Sequence, residues 1–237
     1  MKKNLFLILL VLSYVSCDNS KKITLSKLEG SPPYLNAKIS TASITLSDEN
    51  EYTFSFNISD YELGAQTINT VENQIANSGK GQHIHFIVNN GPYSAHYINN
   101  FNKKLDNNDN LILAFLSRSY HESVKNPNAF VLTQLGESKI DLNGEFLFYS
   151  RPKGTYKGKD TEKLLLDFYL INTTISPDGN KVKATINDTE FIITEWVPYY
   201  LQGLPKGEVK IKLELINSEG KLVDSPFNPS VRTVILE

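Results

Sequence analysis

Cysteine is almost absent from this chain. Cys17 is the only one among 237 residues, so no disulfide framework, no CxxC redox pair and no thiolate zinc site is available to it. Methionine and tryptophan also occur once each, and the net charge is only −2. Loss of Lys2 and Lys3 with a leader would leave the remainder more acidic still. That balance offers no basic face and excludes nucleic acid as a partner. There is no long amphipathic helical pattern, no HExxH, no Gly-x-Ser-x-Gly elbow and no dinucleotide fingerprint. The stretch from Gly154 to Lys159 falls one residue short of a P-loop. No catalytic motif is present, so we expect no enzymatic activity.

What is present begins with residues 1–17. Lys2 and Lys3 precede an apolar run, Leu5 to Leu12, too short to span a bilayer, and Ser16 precedes Cys17. This is the layout of a secretory signal peptide. Val15-Ser16-Cys17 resembles a bacterial lipobox, in which the cysteine becomes the lipidated first residue, although Tyr14 departs from the usual aliphatic residue. The expectation is a protein of the bacterial cell envelope, held by a lipid on Cys17 in the periplasmic or cell-surface leaflet. Residues 18–30 read as a tether.

Beyond the tether the signals are those of strands. Tyr52 to Ile58 alternates strictly, Leu111 to Leu116 is nearly continuous in apolar residues, and Ala129 to Leu132 closes the unit. Asn143-Gly144 marks a hairpin between Lys139–Leu142 and Glu145–Tyr149. Thr70 to Asn77 has the caps of a short helix. Ser119 and Glu122 have capping-box spacing for one helical turn.

The second half repeats the first. Gly179–Asp188 aligns without gaps on Gly81–Asn90, Phe191–Trp196 on Tyr93–Ile98, and Val209–Leu215 on the strand at Leu111. Two copies rich in short strands predict an all-β protein of two tandem immunoglobulin-like β-sandwich domains, 31–142 and 143–237.

Three of the four histidines fall within residues 81–97. A hairpin turning at Asn90-Gly91 would place His85 opposite His96. Ile84, Phe86 and Val88 would then lie on one face and His83, His85 and His96 on the other. The repeat puts Lys181, Lys183 and Thr194 at those three positions in the second copy, which predicts an accessible face there. Imidazoles two apart on a strand, with a third across the hairpin, suit a zinc or copper ion. His121 is a further ligand if its loop folds back, and Glu122 an alternative carboxylate. The wider ligand surface on the first domain is His83, His85, Tyr93, His96, Arg118, His121 and Glu122. Arg151, Lys153 and Lys157 form a weaker anion-binding group.

Taken together, Tyr61–Thr67, Gly81–Phe86 with Asn90–Tyr93, Ser117–Ser123 and Ser150–Tyr156 resemble a family of uncharacterised bacterial envelope lipoproteins, some of which carry a phosphopeptide-binding label. The resemblance implies an envelope location and two immunoglobulin-like domains, and it would make Arg118, Arg151, Lys153 and Lys157 the anion contacts. The expected function is that of a membrane-anchored, non-catalytic binding lipoprotein for a small-molecule, peptide or protein ligand. Its alternatives are a histidine-based zinc or copper protein and an envelope assembly component.

Overall fold

The computed structural model describes residues 22–68, 75–106, 109–137 and 139–237. Among them the only helical segment is one 3₁₀ turn, Gly158–Thr161. The first strand, β1 (Thr24–Lys27), precedes the first sandwich. That sandwich is built from β2 (Lys38–Asp48), β3 (Glu51–Ser59), β4 (His83–Val88), β5 (Ser94–His96), β6 (Asn100–Lys104), β7 (Asn110–Ser117) and β8 (Phe130–Leu135). Its sheets are β2-β3-β6 and β5-β4-β7-β8.

The second sandwich uses β9 (Phe146–Arg151), β10 (Thr155–Tyr156), β11 (Lys163–Ile171), β12 (Lys181–Ile186), β13 (Thr189–Ile193), β14 (Tyr199–Gln202), β15 (Gly207–Ile216) and β16 (Ser230–Leu236). One sheet runs β1-β14-β11-β9 and the other β10-β16-β15-β12-β13. Set aside β1 and β10, and both sandwiches have the same strand order, first-second-fifth against fourth-third-sixth-seventh. The chain is therefore all-β, with two tandem immunoglobulin-like sandwiches. The strands that the internal repeat paired in sequence are equivalent in space.

Each sandwich has its own core. Phe54, Phe56, Ile84, Phe86, Ile112, Ala114 and Leu116 fill the first. Leu164, Leu166, Phe168, Val182, Ile211 and Leu213 belong to the second. A third cluster joins the two: Ile87, Tyr93, Leu111, Leu113 and Phe115 pack against Phe146, Phe148, Tyr169 and Ile171. The outer face of β4-β7 thus lies on the outer face of β9-β11, and the sheets stack in layers. A strand covered on both faces has no polar side, which is why β7 is buried along its whole length. Each large apolar side chain sealed in this junction contributes about 1.5–3 kcal/mol relative to exposure.

Two expectations need correcting, and a third falls mostly outside the described residues. The tether is not free over Thr24–Lys27, because β1 pairs with β14, Leu25 opposite Leu201, and adds an edge strand to the second sandwich. Lys139–Leu142 is not a strand. There, Asp141 Oδ1 accepts from the Asn143 backbone and Gln134 Oε1 from that of Ile140, so side chains take bonds a ladder would otherwise need. Ile140 and Leu142 instead pack into the junction. The helix expected at Thr70 to Asn77 lies largely outside the described residues, and its described end, Ile75 to Asn77, is not helical.

Candidate metal centre

The turn between β4 and β5 decides which histidines meet. Asn89 and Asn90 both take left-handed backbone angles, φ 50° and 51°, as a two-residue hairpin turn of mirror type requires. Gly91 N donates to Val88 O at 2.8 Å. The turn is thus one residue earlier than Asn90-Gly91, and pairing shifts to Ile84↔His96, His85↔Ala95 and Phe86↔Ser94. A one-residue slip carries every side chain of β5 to the other face. His96 therefore leaves the histidine face. Its ring stacks on Phe101 at 3.4 Å and meets Phe86 edge-on. In exchange Tyr93 arrives, stacked on His85 with ring centroids 3.5 Å apart.

His121 supplies what His96 does not. The Ser117–Lys125 loop forms no capped helical turn. Arg118 N donates to Glu122 O and His121 N to Arg118 O, while His121 itself has φ 69°. That geometry turns its ring onto β4. His83 Nε2 lies 3.0 Å from His85 Nε2 and 3.1 Å from His121 Nδ1. All three ligand atoms lie within 4.8 Å of one another. A tetrahedral zinc with nitrogen at about 2.0–2.1 Å sets neighbouring nitrogens about 3.3 Å apart, close to the two short separations.

The tautomer of His83 is fixed by its partner, and His85 Nε2 also has Ser117 Oγ at 3.2 Å. Gly81 O lies 2.8 Å from His83 Nδ1, and because a carbonyl only accepts, Nδ1 carries the hydrogen and Nε2 presents its lone pair inward. His85 Nδ1 contacts Ser150 Oγ of the second sandwich at 3.2 Å. A carbonyl or hydroxyl behind the ring is the usual support of a metal-bound imidazole. Tyr93 OH lies 3.2 Å from His121 Nδ1. His83 Nε2, an acceptor, lies 3.1 Å from the same nitrogen.

Burial keeps these rings neutral. His83 is pushed down to about 4, first by burial and then by the nearby Arg151 and Lys153 charges, against a raising contribution from its bond to Gly81. His121 falls to about 2 through burial, Arg151, His83 and Lys153. His85 is held well below its ordinary value by burial and then by its two histidine neighbours. Neutral imidazole is the form that binds metal.

The remaining expected residues divide clearly. His83 and His85 are not on an accessible face: both are wholly buried, His83 among Tyr97, His85 and His121, and His85 against Tyr93 and Ser150 of the second sandwich. The equivalent Lys181 and Lys183 stay partly open, and Lys183 pairs with Glu214 at 3.1 Å. The repeat predicts the scaffold position but not its cover. Arg118 and Glu122 are committed to each other at 2.9 Å, both buried. They also hold the incoming chain, Arg118 through Pro32 O and Glu122 through Ser31 Oγ. Glu122 is therefore not a carboxylate ligand to the histidine cluster. Arg151 and Lys153 border the histidines. Lys153 Nζ donates to Tyr93 O at 2.7 Å and lies 3.8 Å over the Tyr93 ring. Lys157 is elsewhere, exposed and paired with Glu237 at 2.5 Å. Two further members of the site, Ser117 and Ser150, each 3.2 Å from a nitrogen of His85, open two of the motifs that carry the resemblance, but nothing in the sequence assigns either of them to the histidines.

No protein-family model and no curated protein matches this chain. Among solved structures, the fibronectin(III)-like modules of Clostridium thermocellum CbhA are similar to it at 12% identity and a TM-score of 0.31, over 84% of this chain and 94% of that one. The central fibronectin-III array of RIM-binding protein is similar at 9% identity and a TM-score of 0.27, over 85% and 69%.

Proposed function

We propose that this protein binds a transition-metal ion, zinc or copper, through His83 Nε2, His85 Nε2 and His121 Nδ1, and holds it without turning over a substrate. The observation that carries the reading is the convergence of three neutral imidazole nitrogens inside the junction, two of the separations being 3.0 and 3.1 Å. The two supporting bonds behind His83 and His85, to Gly81 O and Ser150 Oγ, favour the same reading. Imidazole-rich sites without thiolate suit these ions. Because Ser150 comes from the second sandwich and the ligands from the first, the ion would stiffen their contact.

Metal analysis of untagged protein, followed by titration with Zn²⁺ and Cu²⁺, tests the proposal. One equivalent should bind to wild type and be lost in His85→Ala. Absence of stoichiometric uptake at micromolar metal sinks it. We further propose that Cys17 carries a lipid that holds the chain at the bacterial envelope. Cys17→Ser should then move the protein from the membrane fraction to the soluble one.

A further inference from the structure

We propose that the second sandwich binds a small inorganic anion where β9, β10 and β16 meet, between the Arg151 and Arg232 guanidinium groups and the Tyr149 hydroxyl. The site is separate from the histidine cluster and does not depend on it. Arg232 stands opposite Ile211 in the β15–β16 ladder, so its side chain leaves on the face that carries the second core. It lies over the Tyr149 ring, 5.3 Å from the centroid. Its Nη1 donates to the neighbouring Val231 O at 3.0 Å, and the buried Nη2 has no partner among the described residues. The Tyr149 hydroxyl, on a side chain only 1% exposed, has none either. Ser230 Oγ, two residues before Arg232 on the same face of β16, is a third buried atom of this kind.

Arg151 arrives from the end of β9 and is 7% exposed. Its Nη1 donates to Tyr156 OH at 2.8 Å, and the Lys153 backbone N donates to the same oxygen at 3.2 Å. A hydroxyl oxygen that accepts twice has only its hydrogen left to offer, so Tyr156 adds a donor. Arg151 Nε is buried without a partner. Among the described residues neither guanidinium pairs with a carboxylate. Asp167, opposite Arg151 in the ladder, is committed to Lys125 and Ser123. Burial and then Tyr156 hold the Tyr149 hydroxyl well above its ordinary value, against Arg232 and Arg151. It therefore keeps its hydrogen and can donate, and all three neighbours are close enough to act on it. Two charges and several donors without an acceptor are costly to bury. Water would satisfy the donors and leave both charges uncompensated; an anion meets both needs. Arg232 is only partly buried, which gives an ion a way in from solvent. The enclosure of Tyr149 and Arg151 suits an ion the size of chloride or phosphate, not a group on a larger molecule.

Metal-free protein in a buffer whose only anion is a bulky organic sulfonate tests the site. Phosphate is titrated by calorimetry and chloride by the broadening of its NMR line. Wild type should bind at least one of the two saturably, phosphate marking a tetrahedral site and chloride a monatomic one. Tyr149→Phe keeps the ring under Arg232 and removes a hydroxyl that has no protein partner. The anion-free variant should therefore keep the wild-type urea midpoint, while its anion affinity falls at least about tenfold, the effect of a hydrogen bond to a charged group. Arg232→Gln should weaken binding further. Lys157→Gln, which removes an exposed cation paired with Glu237, should leave it unchanged. Absence of saturable binding of both ions at millimolar concentration overturns the inference. So does binding that Tyr149→Phe leaves unchanged, whether or not Arg232→Gln folds. Neither result bears on the histidine site, because no metal is present and no histidine is altered.

Discussion

Asp167 of the second sandwich, wholly buried, is paired across the junction with Lys125 of the first at 2.5 Å. The same carboxylate accepts from Ser123 N at 3.2 Å and Ser123 Oγ at 3.0 Å. Ser123 and Lys125 end the loop that carries His121, so one carboxylate fixes both the docking of the sandwiches and the placement of a metal ligand. Asp167→Ala leaves Lys125 with only Ser123 Oγ, at 2.8 Å, and takes the acceptor from Ser123 N, and breaking such a buried pair costs about 3–5 kcal/mol. Chemical denaturation should show that loss, with metal affinity falling in the same variant. An unchanged midpoint would mean that the pair contributes nothing to docking.

The neutral histidines make the metal-free protein sensitive to acid. Between the ordinary histidine value near 6.5 and about 4, the unfolded chain takes up protons that folded His83 and His96 do not. His121, held down to about 2, and His85, also depressed, behave likewise. The unfolded state binds more protons, so stability is present above pH 6.5 and is lost as pH falls through that window. Each imidazole contributes a slope approaching about 1.4 kcal/mol per pH unit. Urea midpoints of the metal-free protein at pH 7.5, 6 and 5 should fall steadily. A flat profile would place these rings in contact with water.

How much of this is legible in the sequence can be judged from particular strands. The alternation at Tyr52 to Ile58 and the internal repeat are enough to predict two sandwiches, because each copy carries its own core periodicity. The His83–His85 pair and His121 are visible as chemistry. Their burial is not, because Lys181 and Lys183 mark the same face as open where nothing covers it. The sign of the cover is the near-continuous apolar run Leu111 to Leu116, matched by Leu164 to Ile171: strands with no polar side are buried on both. A turn placed at Asn90-Gly91 puts His96 on the wrong face. Mirror-type turns need positive φ at both central residues, and Asn89-Asn90 satisfies this before Gly91 is reached.

His96 therefore gives a clean control. Its ring stacks on Phe101 rather than joining the histidine cluster, so His96→Ala should leave metal stoichiometry and affinity unchanged. The lost aromatic pair should cost about 0.5–1.5 kcal/mol of stability. His85→Ala should do the reverse to binding and abolish uptake. Calorimetric titration of both variants checks the one-residue register. Equal losses of metal in the two would contradict the pairing of Ile84 with His96.

Gly81 holds His83 from behind and has no room for a side chain. Its φ is +82°, and a Cβ there would sit 2.3 Å from Gly64 O and 2.5 Å from Ala65 O. Gly64 N and Gln82 N use the same close approach, donating to Gln82 O and Ala65 O at 2.8 and 2.7 Å. Gly81→Ala must displace backbone, not a flexible side chain, so we expect a loss of more than about 1 kcal/mol. It should also move the carbonyl that fixes the His83 tautomer. Metal affinity should fall about 10–100-fold, the usual cost of losing such a support. Wild-type affinity in a folded Gly81→Ala protein would show that the Gly81 carbonyl does not orient His83.

The strand β1 makes the second sandwich dependent on residues that precede the first. Ile23 and Leu25 pack against the second core, and Leu28 is buried with Ile75, Tyr120 and Leu165. Lys27 and Glu195 form an ion pair at 2.6 Å, but their side chains are 44% and 55% exposed, and such pairs are worth about 0–1 kcal/mol. The burial is the larger contribution: Leu28 alone accounts for about 1.5–3 kcal/mol, before the ladder to β14 is counted. Deleting residues 1–28 should therefore lower the urea midpoint far more than Lys27→Ala does. The deletion also uncovers the edge of β14, and an unpaired edge invites self-association, which light scattering would register. A truncated protein with the wild-type midpoint would show that β1 adds nothing to the sheet. A midpoint shift matched by Lys27→Ala would give the ion pair the role argued here for Leu28.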